Sequence, residues 1–330
     1  MENKEKIIII GAGPCGLSAA IELQSCGLDP LLIEKGNVVD AIYHYPTHQT
    51  FFSSSEKLEI GDIPFISEKQ KPVRNEALSY YRTVAERRNL RINTYETVTT
   101  IEKEDDDDFR VETEDRNGNL KSYISKYVIV ATGYYGQPNL LHIPGEELDK
   151  VMHYFKEAHP YFNTDVVVIG GKNSAVDATL ELVKAGARVT VIYRGSEYSK
   201  SVKPWILPLF DSLVRKGIVN MIFDGHVTEI TKDRVYYTVG QEKSSLKNDF
   251  VFAMTGYHPD HDFLASMDIK IDEKSGRPKY NEETMESNIP NIYIAGVIAA
   301  GFNNNEIFIE NGRFHGKQIA NSIVDKENSK

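Results

Sequence analysis

The sequence predicts an α/β protein of two three-layer domains, one inserted in the other, and three observations point there. Two glycine turns, each led by a strand and followed by a helical pattern, sit 159 residues apart, at Gly11-Ala12-Gly13-Pro14-Cys15-Gly16 and at Gly170-Gly171-Lys172-Asn173-Ser174-Ala175. Each half then closes on a strand and a Thr-Gly turn, 127–130 into Ala131-Thr132-Gly133 and 250–252 into Ala253-Met254-Thr255-Gly256. Past the second of these, a strand at 292–295, a turn from Gly296 to Gly301 and a helical pattern over about 306–324 read as a return into the first domain. The expected division is a discontinuous first domain, 1–137 plus 258–330, with residues 138–257 inserted.

The elements follow in order. An apolar run at 7–10 predicts a strand, the first glycine turn opens a helix over about 14–25, Gly27 ends it, and 31–33 is a second strand that finishes in Glu34. Leu17, Ala20 and Ile21 fall on one helix face, which would press it onto a parallel sheet. The insert repeats the plan: strand 166–169, helix 174–185 with Val176, Leu180 and Val183 in one stripe, Gly186, then strand 189–193. Within the first domain, 99–104 and 109–114 alternate as strands about the acidic run 105–108, read as a solvated hairpin tip, with Asp115-Arg116-Asn117-Gly118 as the next turn.

Strand, glycine turn and helix together are the signature of a Rossmann-like dinucleotide site. In the first turn Gly11 permits the tight reversal, Gly13 lets the backbone approach a pyrophosphate, and Gly16 allows the helix, opened by Pro14, to pack against the strand. The helix N-terminus adds free N–H groups and partial positive charge. Glu34, 23 residues after Gly11, is an acceptor for ribose hydroxyls and repels a 2′-phosphate, so this site, with Lys35 alongside, is expected to hold FAD, with NAD as the alternative. Thr132, Gly133 and Gly296 join the expected flavin set. In the second turn Lys172 stands where Gly13 does, followed by Asn173 and Ser174 at the helix start. Counting 23 residues from Gly170 reaches Tyr193, not an acid, and the next residue, Arg194, offers a guanidinium to a 2′-phosphate. Gly170, Lys172, Asn173, Ser174 and Arg194 are therefore the expected NADPH residues, with Lys200 and Lys203 as further cations.

Composition narrows the function. The 330 residues are 41% hydrophobic and 26% charged, the balance of a soluble globular protein, and the net charge of −10 disfavours nucleic acid and anionic membranes as partners. No apolar stretch approaches the ~20 residues of a membrane span, and 7–10 is too short for a signal-peptide core, so a cytoplasmic protein is expected. The two cysteines, Cys15 and Cys26, support neither a disulfide framework nor a zinc site, and His48, His153, His258, His261 and His315 lack metal-ligand spacing, so no metal is expected.

With both turns, Ala131-Thr132-Gly133 and Ile294-Ala295-Gly296 in order, the chain resembles the thioredoxin-reductase-like branch of two-dinucleotide flavoproteins. More narrowly, Gly-Ala-Gly-Pro-Cys-Gly at 11–16, Lys203-Pro204-Trp205, the stretch 252–259 (Phe-Ala-Met-Thr-Gly-Tyr-His-Pro) and the stretch 306–314 (Glu-Ile-Phe-Ile-Glu-Asn-Gly-Arg-Phe) resemble the YpdA-type bacillithiol-disulfide reductases along the whole chain. That resemblance implies an FAD enzyme that uses NADPH to reduce the disulfide of bacillithiol, a small cytoplasmic thiol, and that forms a homo-oligomer. Two departures from the wider branch stand out. The insert has no cysteine, which excludes direct thioredoxin reduction through a protein dithiol, and Val297 follows the final Ala-Gly where an aspartate usually binds the flavin chain.

Cys15, at the helix N-terminus, is the candidate catalytic residue. The helix dipole favours its thiolate while a bound pyrophosphate opposes it. Its thiolate would attack an incoming disulfide, and reduced flavin would resolve the mixed disulfide; alternatively the flavin passes electrons straight to the substrate and Cys15 is a small residue that fits beneath the cofactor. Cys26 reads as structural, on a packing face. His258, just past the second Thr-Gly turn, is a candidate proton donor, and a helix beginning near Glu306, with Asn305, is expected to aim its N-terminus at the flavin. Three rivals remain open: an NADPH–ferredoxin or flavodoxin reductase, a flavin monooxygenase, for which 151–159 lacks the expected Phe-x-Gly-x-x-x-His pattern, and a non-catalytic redox sensor that binds both cofactors.

Overall fold

Four consecutive isoleucines, Ile7 to Ile10, leave a strand no polar face, and a strand of that kind belongs in the middle of a sheet covered on both sides. In the computed structural model, which describes residues 3–104, 108–303 and 306–329, β1 (Asn3–Ile10) is flanked by parallel neighbours on both edges. The chain continues through α1 (Pro14–Ser25), β2 (Leu31–Glu34), the short helices α2 (Asp40–Tyr43) and α3 (Ser55–Leu58), then α4 (Arg74–Arg87) and β3 (Arg91–Thr94). An antiparallel meander follows, β4 (Glu96–Lys103), β5 (Phe109–Asp115) and β6 (Leu120–Val130). The acidic run expected to form the hairpin tip lies mostly outside the described residues.

Next come β7 (Val151–Met152), β8 (Asp165–Ile169), α5 (Asn173–Lys184), β9 (Arg188–Ile192), α6 (Leu207–Arg215) and β10 (Val219–Ile222). They are followed by the hairpin strands β11 (Gly225–Ile230), β12 (Arg234–Val239) and β13 (Glu242–Lys247), and by β14 (Phe250–Ala253). The last stretch holds α7 (His261–Ser266), β15 (Ile292–Ile294), α8 (Ile309–Gly312) and α9 (His315–Asn328).

The described chain clusters into two units, Met1–Tyr43 with Gln49–Gln137 and His258–Lys330, and His44–His48 with Pro138–Tyr257. In the first, the sheet order is β3-β2-β1-β6-β5-β4. β6 serves two partners on its second edge: residues up to Ser125 pair antiparallel with β5, and Val128 to Val130 pair parallel with β15. In the second unit five parallel strands run β10-β9-β8-β14-β7, and β11-β12-β13 form a separate antiparallel sheet. The cores of the two parallel sheets correspond, β3-β2-β1-β6 with β10-β9-β8-β14. In each, the glycine turn follows the strand from which the chain first runs one way along the sheet and later returns on the other side, the place where open α/β sheets bind ligands.

Two helix expectations change. α1 is buried well beyond Leu17, Ala20 and Ile21: Gly16, Ser18, Ala19 and Leu23 are buried too. The cause is α9, which packs on the side away from the sheet; a β-carbon on Gly316 would stand 2.6 Å from Ala19 Cα, so only a glycine lets the helices approach. The pattern over 306–324 is also not one helix. Glu306 lies in a turn, α8 spans a single turn of residues, and the chain restarts at His315. The break is held by Phe308 N–H donating to Asn311 Oδ1 at 2.7 Å and by Ser18 Oγ donating to the Arg313 carbonyl at 2.7 Å. Asn305 lies outside the described residues. No helix among the described residues is long and apolar enough to cross a membrane.

Candidate active site

The three glycines of the first turn answer to different neighbours. At Gly11 (φ +104°) a β-carbon would stand 2.6 Å from the Ala131 carbonyl oxygen, and at Gly16 one would stand 2.0 Å from the carbonyl oxygen of Gly11. The protein's own backbone demands both. At Gly13 no protein atom beyond its own chain neighbours lies within 4 Å of the missing β-carbon. Its glycine character is therefore free for something that is not part of the chain. Gly13 is the N-cap of α1, with Pro14 behind it, and the leading N–H groups of a helix have no partner within it. An open cradle beside unpaired donors fits the diphosphate of a dinucleotide.

Glu34 ends β2 buried, 7% exposed, and accepts hydrogen bonds from the N–H of Ala12 at 2.8 Å and of Gly36 at 2.9 Å. Burial raises its pKa above the usual carboxylate range, while the Gly36 and Ala12 hydrogen bonds pull the other way. Each oxygen still has a lone pair for a ribose hydroxyl, and a phosphate has no welcome there. Lys35 is exposed, and its Nζ lies 2.8 Å from the place of a β-carbon on Gly136. Thr132 is exposed beyond β6; Gly133 takes φ +69°, and the Val297 Cγ1 lies 4.0 Å from its missing β-carbon.

Cys15 sits in the first turn of α1 with its sulfur against two other glycines. A β-carbon on Gly296 (φ +82°) would stand 3.0 Å from Cys15 Cβ and Sγ, and one on Gly312 would stand 3.0 Å from Sγ. The residue as a whole is half-buried, yet burial of the thiol pushes it up to about 12, with the Glu310 carboxylate acting in the same direction. The α1 dipole, worth roughly 0.3–1 kcal/mol for an exposed charge, does not outweigh that desolvation. Glu310, on α8, accepts a hydrogen bond from the Ser53 hydroxyl. Cys26 is exposed rather than packed, because as C-cap of α1 it lies past the last buried residue of the helix. His258 donates its N–H to the Gln137 carbonyl at 3.0 Å, and its ring is 6.3 Å from that of His261.

The second turn uses different fillers. A β-carbon on Gly170 (φ +138°) would stand 2.4 Å from the Met254 carbonyl oxygen, and one on Gly171 would stand 2.4 Å from the Tyr193 ring. The same ring lies 2.5 Å from the place of a β-carbon on Gly195. Tyr193 thus packs across two glycines from the position that Glu34 holds in the first turn. Lys172 is the exposed N-cap of α5, and Ser174 and Arg194 are exposed. The Asn173 side chain is engaged inside the protein: Nδ2 donates to the Ser201 carbonyl at 2.9 Å, and Oδ1 accepts from Lys203 N–H at 2.9 Å. A ligand at this turn would therefore meet Asn173 through its backbone. Lys203 Nζ lies 5.9 Å from the centre of the Trp205 ring.

Residues 8–296 match the pyridine nucleotide-disulphide oxidoreductase family. The chain belongs to that family. As a pyridine nucleotide-disulphide oxidoreductase it is a flavoprotein enzyme whose cofactors are FAD and NADPH, and the Gly13 cradle with Glu34 and the acid-free second turn with Arg194 fit those groups. It is 61% identical over 98% of its length to the bacilliredoxin reductase Bdr of Bacillus subtilis (strain 168), of which the match covers 99%. A solved structure named bacillithiol disulfide reductase Bdr (YpdA), from Bacillus cereus, is 64% identical with a TM-score of 0.96 over 98% of this chain and 100% of that one. The Staphylococcus aureus structure of the same name is 56% identical, with a TM-score of 0.93 over 98% and 99%.

Two residues of the Cys15 neighbourhood were given no role from the sequence, Ser53 and Glu310. Glu310 stood in the 306–314 stretch without a role, and Ser53 carried no signal. Both meet only because α8 folds back over α1 and α3, a contact more than 250 residues long in sequence.

Proposed function

We propose that this oxidoreductase uses NADPH, through FAD, to reduce bacillithiol disulfide to two thiols. The observation that carries the reading is similarity along 98% of the chain, at 64% identity, to a protein named for that reaction. Bound FAD supplies a two-electron relay from nicotinamide to sulfur. On this reading 1–137 with 258–330 is the FAD-binding domain and 138–257 the NADPH-binding domain. Gly11, Gly13, Pro14 and Gly16 hold the flavin diphosphate at the α1 N-terminus, Glu34 accepts from ribose hydroxyls beside Lys35, and Thr132, Gly133 and Gly296 complete the set. Gly170, Lys172 and the backbone N–H groups of Asn173 and Ser174 receive the NADPH diphosphate, and Arg194 receives its 2′-phosphate.

The thiolate of Cys15 attacks one sulfur of the substrate: a Cys15–bacillithiol bond forms, the substrate S–S bond breaks, and the departing thiolate takes up a proton. Two electrons then cleave the mixed disulfide, releasing the second thiol and restoring Cys15. The sum is one NADPH, one proton and one disulfide giving NADP+ and two thiols. A second reading keeps cofactors and substrate but needs no protein thiol. The position of the Cys15 thiol, pushed up to about 12, favours it, since the resting group is protonated at neutral pH and a poor nucleophile.

Cys15→Ala, loaded with FAD, separates the two. Loss of NADPH-dependent disulfide turnover supports attack by Cys15, and undiminished turnover supports the thiol-free route. Wild-type protein that reduces ferredoxin or flavodoxin rapidly and bacillithiol disulfide not at all overturns both. The reading also carries a cytoplasmic setting and a homo-oligomeric assembly, supported by the resemblance to YpdA-type reductases; sedimentation velocity of the FAD-loaded protein tests the assembly.

A further inference from the structure

β15 keeps its ladder as far as Ala295, whose N–H donates to the Val130 carbonyl at 2.9 Å. At Gly296 the chain leaves the sheet in a conformation that favours glycine (φ +82°, ψ −158°). A backbone N–H that leaves a ladder inside a protein needs another acceptor. Here it donates to His315 Nδ1 at 3.1 Å. His315 opens α9 and is held on both sides by α1. Before it, the Arg313 carbonyl accepts from Ser18 Oγ; after it, Gly316 packs on the Ala19 backbone. Gly296 is thus fixed from two directions by α1, through Cys15 against its Cα and through the imidazole that α1 and α9 position.

The residue after Gly296 is Val297, which brings no polar side chain to the turn. We propose that His315 is the positioning residue of the Gly296 turn, and that it acts as a neutral imidazole with its proton on Nε2, pinning the turn in the shape that receives the flavin. A neutral ring has one acceptor nitrogen, and a hydrogen on Nδ1 would set donor against donor at Gly296. This rests on the reading of Gly296 as part of the FAD site.

Asparagine and glutamine test the geometry, because Asn places an oxygen where Nδ1 stands and Gln places one where Nε2 stands. His315→Asn is expected to bind FAD within about threefold of wild type. His315→Gln and His315→Ala are expected to bind it about five- to tenfold more weakly, the effect of one hydrogen bond. Fluorescence titration of FAD into the apoprotein reads this without any turnover. Equal affinity in all four proteins, or Gln rescuing as well as Asn, overturns the proposal. Nitrogen-15 NMR of wild-type imidazoles, assigned by the signal missing in His315→Asn, provides a check that survives poor folding of the Gln and Ala variants: an Nδ1–H tautomer overturns it. Wild-type protein that binds no FAD at all instead removes the reading of the site beneath it.

Discussion

Cys15 and Gly296 share one space: a β-carbon on Gly296 would fall 3.0 Å from both Cβ and Sγ of Cys15. The candidate nucleophile is therefore packed against the backbone of the turn that closes the expected flavin set, and changes to one are felt by the other. A methyl group at Gly296 also meets an unfavourable backbone, so it has no relaxed position.

Gly13, Gly16 and Gly296 should accordingly separate into two kinds. Gly16→Ala forces a carbon to 2.0 Å from a carbonyl oxygen and Gly296→Ala crowds Cys15, so both should destabilise the apoprotein by on the order of 1–3 kcal/mol and lower its melting temperature. Gly13→Ala meets no protein atom beyond its chain neighbours and should leave the apoprotein as stable as wild type, or slightly more so, while sharply weakening FAD binding. Thermal melts with and without FAD read both effects. A Gly13→Ala protein that binds FAD normally would show that the open cradle is not the diphosphate site.

Cys15 has a pH signature of its own. Its thiol is raised from 9.0 to about 12, so in the folded apoprotein the reactive thiolate should appear only at strongly alkaline pH. Glu310 contributes to that rise through its negative charge, so Glu310→Gln should move alkylation by iodoacetamide to lower pH. The experiment needs a Cys26→Ser background, because Cys26 is exposed and would react first. An unchanged pH profile in Glu310→Gln means that the carboxylate does not govern the thiol.

Arg194 should discriminate between nicotinamide nucleotides. It is exposed beside Tyr193, which occupies the place of a ribose-binding acid, so its guanidinium is available for a 2′-phosphate. Arg194→Ala should raise KM for NADPH by about 10- to 100-fold, from the loss of a charged hydrogen bond of roughly 1.5–3 kcal/mol, and leave KM for NADH unchanged. Equal effects on both nucleotides would assign Arg194 a structural role.

Much of the fold was legible because it is local. A strand, a glycine turn and a helix occupy about twenty consecutive residues, and α1 and β2 begin where Pro14 and Leu31 suggest. Only local signals are readable in this way. The burial of α1 on both sides depends on α9, some 300 residues later, and on Gly316, which looks like any glycine in a helical pattern. The break in 306–324 depends on Ser18 reaching the Arg313 carbonyl, and the sequence shows an unbroken helical period there. The site divides likewise: the residue types at Gly13, Glu34 and Arg194 announce their chemistry, whereas Asn173 turned out to hold the loop at 201–203 and His315 to hold Gly296, pairings that only the folded chain creates.

The central claim, that electrons pass from NADPH through FAD to a small disulfide, is tested most directly by an anaerobic titration of the flavin absorbance. One equivalent of NADPH should bleach the FAD-loaded protein, and one equivalent of bacillithiol disulfide should then restore the oxidised spectrum and release two thiols. A flavin that stays bleached in the presence of that disulfide but is reoxidised by ferredoxin would contradict the account.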